Sequence, residues 1–489
     1  MNILMVATEM VPLAKTGGLA DVVGALSAAL KASGHEVRAA MPLYASVDPA
    51  KTGATVEPVT EVEVAMPEGP VAGRLLLARG GSLPVPVYLV ECARYFGRPG
   101  IYDDPATKEG YPDNAERIFF FNRALLEALP RAGFTVDVLH AHDHQAAPLV
   151  SYRRLLPAKM ALLGSPATVY TIHNLGYQGI FAREAFDASG LPGALFESMS
   201  PFEFHGMVNL MKMGITHADQ ITTVSPRYAY EITTSAEYGC GLEGVLRERA
   251  GDLSGILNGI DTSVWNPAND PLIPFRFDRT SLAGKAENRS ALRKRFGLPA
   301  ANGPVIGAVA RLTQQKGFDL LLDILPSVLK MDVQLAILGT GSEDYHRRLR
   351  AAADAHPERF GLVLGFDDAL AHLIEAGSDA FLMPSRYEPC GLNQMYSLVY
   401  GTVPVVRATG GLADTVVDID EDETRGNGFV FRAYEPVELL RTLRRCMRYF
   451  GDRRLWSAMM ANGMAADFSW GRSAAEYVSV YRRANASAR

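Results

Sequence analysis

Two stretches of this chain carry residue types suited to phosphate and sugar chemistry. Arg311-Leu312-Thr313-Gln314-Gln315-Lys316-Gly317 puts two cations into a loop after an apolar run. Arginine can chelate a phosphate with two parallel N–H donors, whereas lysine offers a point charge. Together they could neutralise a departing diphosphate without a metal, as preorganised electrostatic stabilisation. Taken alone, the two cations fit a solvated strand–helix loop equally well. Glu388-Pro389-Cys390-Gly391-Leu392 puts a carboxylate and then a tight turn after a second apolar run. A carboxylate fixed on such a loop can accept hydrogen bonds from sugar hydroxyls, and the N–H groups of the turn can meet hydroxyl or phosphate oxygens. Cys390 invites a nucleophilic reading, but a small residue packed in a turn is the preferred one.

Six residues occur twice. Thr16-Gly17-Gly18-Leu19-Ala20-Asp21 near the start returns as Thr409-Gly410-Gly411-Leu412-Ala413-Asp414 near the end. Each copy follows a strand-like run and opens a helix-like pattern. A glycine turn at a helix N-terminus presents free N–H groups and the positive end of the helix dipole, which suits an anion. One copy alone reads as a tight turn before a helix. Two copies, with Lys15 beside the first, point to two α/β halves facing one charged ligand across a cleft.

Other signals are weaker. His140-Ala141-His142-Asp143-His144 is one residue short of the HxHxDH metal pattern, and on a strand the three histidines would share one face. No distant ligand set of matching spacing accompanies it, so no metal is expected. Asp418-Ile419-Asp420 matches a DxD pattern but lies in an acidic run that reads as a solvated loop. Walker A and GxGxxG are absent. Gly339-Thr340-Gly341 lacks the third glycine and reads as another phosphate-side turn.

The elements that must position these residues alternate along the chain. Ile3 to Ala7 is a short continuous apolar run, as in a strand buried on both faces of a parallel sheet. Leu19, Val22, Val23, Leu26 and Leu30 then mark one face of a helix, with Gly34 as its stop, and His35 to Met41 gives the next strand. Val136 to His140 and Ala167 to Ile172 read as strands, Ala115 to Leu129 as a helix, and Val56 to Leu89 as a β-excursion. The sequence breaks at Asn258-Gly259-Ile260-Asp261 and a proline-rich stretch, after which the alternation restarts. Strands are expected at Val305 to Ala310, Val333 to Leu338, Asp379 to Met383 and Val403 to Val406. Helices are expected at Phe318 to Lys330, Leu439 to Phe450 and Ser473 to Arg483. The fold class is α/β, with two doubly wound Rossmann-like domains. Ligands bind outside the carboxyl ends of strands in such sheets. Lys15, Asp143, His173, Arg311 and Glu388 all follow strand-like runs.

Composition narrows the function. The chain has 489 residues, 48% hydrophobic and 21% charged, as in a globular enzyme, with a net charge of −6. The absence of a basic tract argues against nucleic acid or an anionic membrane as partner. Cys92, Cys240, Cys390 and Cys446 are widely spaced and form no CxxC, which reads as reduced thiols in the cytoplasm. The N-terminus starts directly with a strand-like run and no long apolar stretch occurs, so no signal peptide and no membrane span are expected.

At these residues the chain resembles the bacterial glycogen synthases and the plant starch synthases, retaining glucosyltransferases of the GT-B fold. Lys15-Thr16-Gly17-Gly18-Leu19 matches the family's KTGGL signature. His140 to Asp143, Thr171 to Asn174 with Tyr177-Gln178-Gly179, Leu257 to Asp261, Arg311 to Gly317, Ser385 to Leu392 and Thr409 to Thr415 match in family order. The resemblance runs from Met1 to about Tyr481.

The resemblance implies a reaction: transfer of glucose from ADP-glucose to the non-reducing end of an α-1,4-glucan such as glycogen, with retention of configuration and no metal cofactor. It implies an N-terminal acceptor-side domain over 1–256, a nucleotide-sugar domain over 257–464, and a helix over 465–489 crossing back to the first domain. ADP-glucose would lie in the interdomain cleft. Arg311 and Lys316 would hold its distal phosphates, with Lys15 and N–H groups near Gly17, Gly18, Gly410 and Gly411 assisting. Glu388 would grip the glucose 3- and 4-hydroxyls, with Cys390, Gly391 and Leu392 on the same turn. Asp143 and His173 would line the sugar site and Asn258 would touch it. Phe366 would lie against adenine, and Asp21 and Thr409 belong to the two signature turns. A homo-oligomer is compatible with the family.

Departures from the family pattern bear on acceptor preference and rate. Tyr396 stands where the broader retaining GT-B pattern has a second glutamate, as is common in the bacterial branch. His144 replaces a usual Trp, His205 a usual Tyr and Asn393 a usual Thr. Two other readings stay open: the same fold with UDP-glucose or a small sugar acceptor, and a non-catalytic glycan-binding relative.

Overall fold

The structure, a computed structural model, describes residues 1–487. Among these residues the chain forms two compact units. The first holds Met1–Val224, Ala229–Gly259 and the last helix, Trp470–Ser487; the second holds Ser225–Tyr228 and Ile260–Ser469. No helix among them is long and apolar enough to cross a membrane.

The first unit is built on strands β1 (Asn2–Val6), β2 (Glu36–Pro42), β3 (Thr55–Met66), β4 (Gly69–Arg79), β5 (Val87–Glu91), β6 (Val138–His142) and β7 (Ala167–Ile172). A small antiparallel sheet of β8 (Ile180–Phe181), β9 (Glu203–Phe204) and β10 (Met207–Asn209) follows, then β11 (Gln220–Thr223) and β12 (Leu253–Gly255). The main sheet runs β12-β11-β7-β6-β1-β2-β5-β4-β3. It is parallel from β12 to β5, and the Val56–Leu89 excursion becomes an antiparallel extension at the β3 end. Ile3 to Val6 are fully buried, as a strand covered by helices on both faces must be. The chain winds outward from β1 through β2 and β5, then returns to β6 on the other side of β1. The topological switch point therefore lies between β1 and β6, and a doubly wound sheet binds ligands at the carboxyl ends there.

The second unit has a six-stranded parallel sheet of β13 (Val305–Leu312), β14 (Gln334–Gly341), β15 (Phe360–Leu364), β16 (Ala380–Met383), β17 (Val403–Arg407) and β18 (Phe429–Phe431). The order is β15-β14-β13-β16-β17-β18, so its switch point lies between β13 and β16. Strand alternation divides the core. Ile306, Ala308, Leu335 and Ile337 pack with the helix Phe318–Val328, and Val305, Ala336 and Leu338 pack on the opposite face with Leu370 and Ile374. The helix Phe318–Val328 carries Pro326 in its interior and ends short of Lys330. Both units are doubly wound, as the alternating pattern implies.

Candidate active site

In the second unit, the loops after β13 and β16 meet at the switch point. Lys316 Nζ stands 2.6 Å from Glu388 Oε2, and Ser385 Oγ donates to the same oxygen at 2.9 Å. Glu388 is 6% exposed, so its charge is met by these partners rather than by bulk water. Gly317 delivers Lys316 through left-handed backbone (φ 76), and a Cβ there would stand 2.1 Å from the Pro384 carbonyl oxygen. The Arg386 N–H donates to the Gln315 carbonyl at 2.9 Å and ties the two loops together. Arg311 is exposed at the end of β13, with a 3.4 Å contact from Nη2 to Gln315 Oε1. Phe366 follows β15 and is 90% exposed, a ring with nothing covering it.

The turn after Glu388 is braced from below. Gln394 Nε2 donates to the Cys390 and Gly391 carbonyls at 3.1 and 3.0 Å. The Gly411 N–H donates to the Glu388 and Pro389 carbonyls, both at 3.2 Å, and a Cβ on Gly411 would stand 2.0 Å from the Cys390 carbonyl oxygen. Cys390 is buried, in keeping with a packed turn. Leu392 caps the helix Asn393–Val399, where Asn393 Nδ2 donates to the Val309 carbonyl at 2.6 Å. Asn393 is thus a brace onto β13. Tyr396 stacks on Trp265, with ring centroids 3.8 Å apart.

In the first unit, Asp143 directly follows β6 and His173 directly follows β7. Strand β6 runs to His142, two residues beyond the expected end. Asp143 takes left-handed backbone (φ 55), a strained state for a residue with a side chain. Its Oδ1 accepts the His173 N–H at 2.8 Å. Burial pushes the Asp143 carboxyl up to about 7, while the N–H groups of His173 and Asn174 pull it down. Burial also lowers His173 to about 3, so the ring is neutral. Asn258 is buried and its Oδ1 has no hydrogen-bond partner among the described residues.

The two signature turns differ. Around Gly17 and Gly18 an added Cβ would meet nothing within 4 Å, and the helix Gly18–Ala32 is long. The second copy opens only the short helix Gly410–Thr415 and is packed under the Glu388 turn. The first turn already has an anion. Glu9 accepts the N–H groups of Thr16 and Gly17, the Thr16 hydroxyl at 2.7 Å and the Tyr102 hydroxyl at 2.7 Å. Lys15 pairs with Asp21 at 2.8 Å. Asp414, the counterpart of Asp21, instead accepts the Arg227 N–H at 2.8 Å. Thr409 is buried beside the second turn.

Two expectations change. The three histidines do not share one face: His140 and His142 lie side by side, with centroids 4.1 Å apart, but His144 is on the helix Asp143–Leu155 and bonds the Tyr177 carbonyl at 2.9 Å. Asp143 ends the strand, which rotates His144 away. Among the described residues no group of three or more His, Cys, Asp or Glu is arranged to hold a metal ion. The acidic run is not a solvated loop at Asp418: this residue is 3% exposed, ion-paired with Arg445 at 2.5 Å, and accepts the Val430 N–H at 2.6 Å.

Glu9 carries no signal of its own in a motif, whereas Ser385 opens a matched motif and His142 lies in the histidine cluster, neither with a role that the sequence assigns. The available signal for Glu9 is a charged residue two positions after the apolar run Ile3 to Ala7. The Ser385 contact had none, because its partner is reached by a turn.

Comparison with known proteins follows the same division. The chain matches the starch synthase catalytic domain model over residues 2–248 and the glycosyl transferases group 1 model over 291–454. It is 48% identical to a glycogen synthase of Anaeromyxobacter dehalogenans, covering 99% of both chains. It is 45% identical to one of Koribacter versatilis, covering 99% of this chain and 98% of that protein. The catalytic domain of starch synthase IV from Arabidopsis thaliana, bound to ADP and acarbose, superposes with a TM-score of 0.89 at 34% identity, covering 99% of each chain.

Proposed function

The chain belongs to the glycogen and starch synthase family of glycosyltransferases, and from that premise we propose how it acts. It transfers glucose from ADP-glucose to the non-reducing 4-hydroxyl of an α-1,4-glucan, with retention of configuration and without a metal ion. The observation that carries this reading is the Lys316–Glu388 contact at the switch point of the second sheet. A phosphate-seeking cation and a hydroxyl-accepting carboxylate are held together where such a sheet binds ligands. The ADP and acarbose bound to the Arabidopsis relative support an adenine nucleotide and a glucan-like partner.

Each group then has a chemical task. Arg311 and Lys316 meet the charge that builds on the distal phosphate as the C1–O bond loosens. Glu388 commits Oε2 to Lys316 and Ser385, which leaves Oε1 for the glucose 3- and 4-hydroxyls. Phe366 offers its bare ring to the base. The family resemblance gives Lys15, the Gly17–Gly18 turn, Asp143, His173 and Asn258 roles toward phosphate and sugar. The glucan 4-hydroxyl attacks C1 on the face the phosphate leaves. The C1–O(phosphate) bond breaks, the C1–O4 bond forms, and the hydroxyl proton passes to the departing phosphate oxygen. Among the described residues the four cysteines form no disulfide, which supports a reducing cytoplasm as the setting.

A stacked ring does not distinguish adenine from uracil, so the test compares donors. Transfer to glycogen is measured from ADP-glucose and UDP-glucose in parallel, with EDTA present, and the new linkage is read by NMR. Transfer from ADP-glucose alone, giving an α-1,4 bond, is expected. Preference for UDP-glucose overturns the donor, and loss of activity in EDTA overturns the metal-free mechanism.

A further inference from the structure

We infer that His142 is a positioning residue for this transfer. It holds His173 in the tautomer that carries its proton on Nδ1, so that His173 meets the sugar as a hydrogen-bond donor. The role toward sugar rests on the function proposed above; the tautomer does not.

His142 is fully buried at the end of β6, and its Nδ1 lies 3.0 Å from His173 Nε2. Its other nitrogen, Nε2, is buried without a hydrogen-bond partner among the described residues. Burial lowers both rings far below the usual histidine range, so each carries a single proton. One proton sits between them, and two arrangements satisfy the contact. If His173 donated from Nε2, His142 would accept at Nδ1 and carry its own proton on Nε2. That would bury an N–H with nothing to bond. If His142 donates from Nδ1, its Nε2 is a bare lone pair. Buried orphan donors are rarer than under-satisfied acceptors, and an unmet donor bears its full desolvation cost. The second arrangement prevails, and it places the His173 proton on Nδ1.

The surroundings stop His142 from turning to escape this role. His140 lies alongside it with centroids 4.1 Å apart. His140 is itself locked at both nitrogens, by the Tyr481 hydroxyl at 2.8 Å and Thr171 Oγ1 at 2.6 Å. On the far side, the His173 backbone is fixed by its N–H bond to Asp143. The pair is therefore held in register from both ends, and His173 Nδ1 is the nitrogen left to a ligand.

The test is two-bond proton–nitrogen correlation NMR on the full chain labelled with [15N]histidine, with the His173 signals identified by their loss in His173→Gln. The wild type is expected to show His173 protonated on Nδ1. In His142→Asn the side-chain amide can donate in place of the ring, so the tautomer is kept and kcat/KM stays within about threefold. In His142→Phe nothing donates to His173 Nε2, the ring is no longer held in place, and kcat/KM falls about tenfold, the scale of one hydrogen bond. A wild-type His173 protonated on Nε2 overturns the inference without any variant having to fold. So does a His142→Phe protein whose kcat/KM stays within about threefold of the wild type. Absence of transfer from every donor, with the Nδ1 tautomer present, counts against the functional reading alone.

Discussion

Lys316 and Glu388 are 72 positions apart in sequence, and their charged groups are 2.6 Å apart at the switch point of the second sheet. Arg311, five residues before Lys316, is exposed and contacts Gln315 Oε1 from Nη2 at 3.4 Å. The two cations share one proposed role at phosphate but differ in what they do for the resting fold. Lys316→Ala strips a buried carboxylate of its cation, a loss of about 3 kcal/mol. Arg311→Ala removes an exposed side chain and should stay within about 0.5 kcal/mol. Both should lose kcat strongly. Thermal unfolding of the two variants beside donor kinetics checks this; equal melting temperatures would mean that the ion pair contributes nothing to the fold.

Glu388→Ala should lower kcat by roughly 10²–10³-fold, the usual effect of deleting one preorganised polar group at a reacting centre. The loop itself should survive, because Gln394 and Gly411 hold its backbone. Circular dichroism and steady-state transfer on the same preparation test the pairing of an intact fold with lost turnover. Near-normal turnover would remove Glu388 from the reaction.

The two copies of the repeated signature should respond in opposite ways to the same change. Gly411→Ala drives a Cβ into the Cys390 backbone and should cost about 3 kcal/mol. Gly18→Ala meets no atom within 4 Å and should raise stability by about 0.5 kcal/mol through the unfolded chain. It should still slow transfer, because the methyl enters space assigned to the donor. Urea unfolding of both variants reads the first contrast, and the donor KM reads the second.

Asp143 makes a pH prediction. Its carboxyl is raised from 3.8 to about 7 by burial. Between those values the unfolded chain has lost a proton that the folded chain keeps, so stability falls as pH rises, by about 1.4 kcal/mol per unit. The contribution is complete below the unfolded value and gone above the folded one. Asp143→Asn cannot titrate, so the stability difference between variant and wild type should shift in favour of the variant from about pH 4 to about pH 7. Chemical unfolding at those two pH values measures it; a difference independent of pH would show that Asp143 is ionised throughout.

Much of the fold is legible along the chain because its causes are local. Ile306 and Leu335 alternate with Val305 and Ala336, and that period of two assigns each to one face of a sheet before any partner is known. Leu19 to Leu30 repeats at helical spacing, and the structure has the helix Gly18–Ala32. The strand ends that carry Arg311, Glu388, Asp143 and His173 could be found in the same way, since runs of apolar residues stop where the chain meets solvent or ligand. Which of these groups touch could not. The Lys316–Glu388 contact depends on β13 lying next to β16, and the His142–His173 contact on β6 lying next to β7. Strand order is set by the packing of whole layers, not by any short segment. The repeated signature shows the division most plainly. Its six residues specify a glycine turn and a helix start in both places. Only tertiary structure leaves one copy open with Glu9 at its N–H groups and packs the other beneath Glu388, because the space around a turn belongs to the chain that returns to fill it.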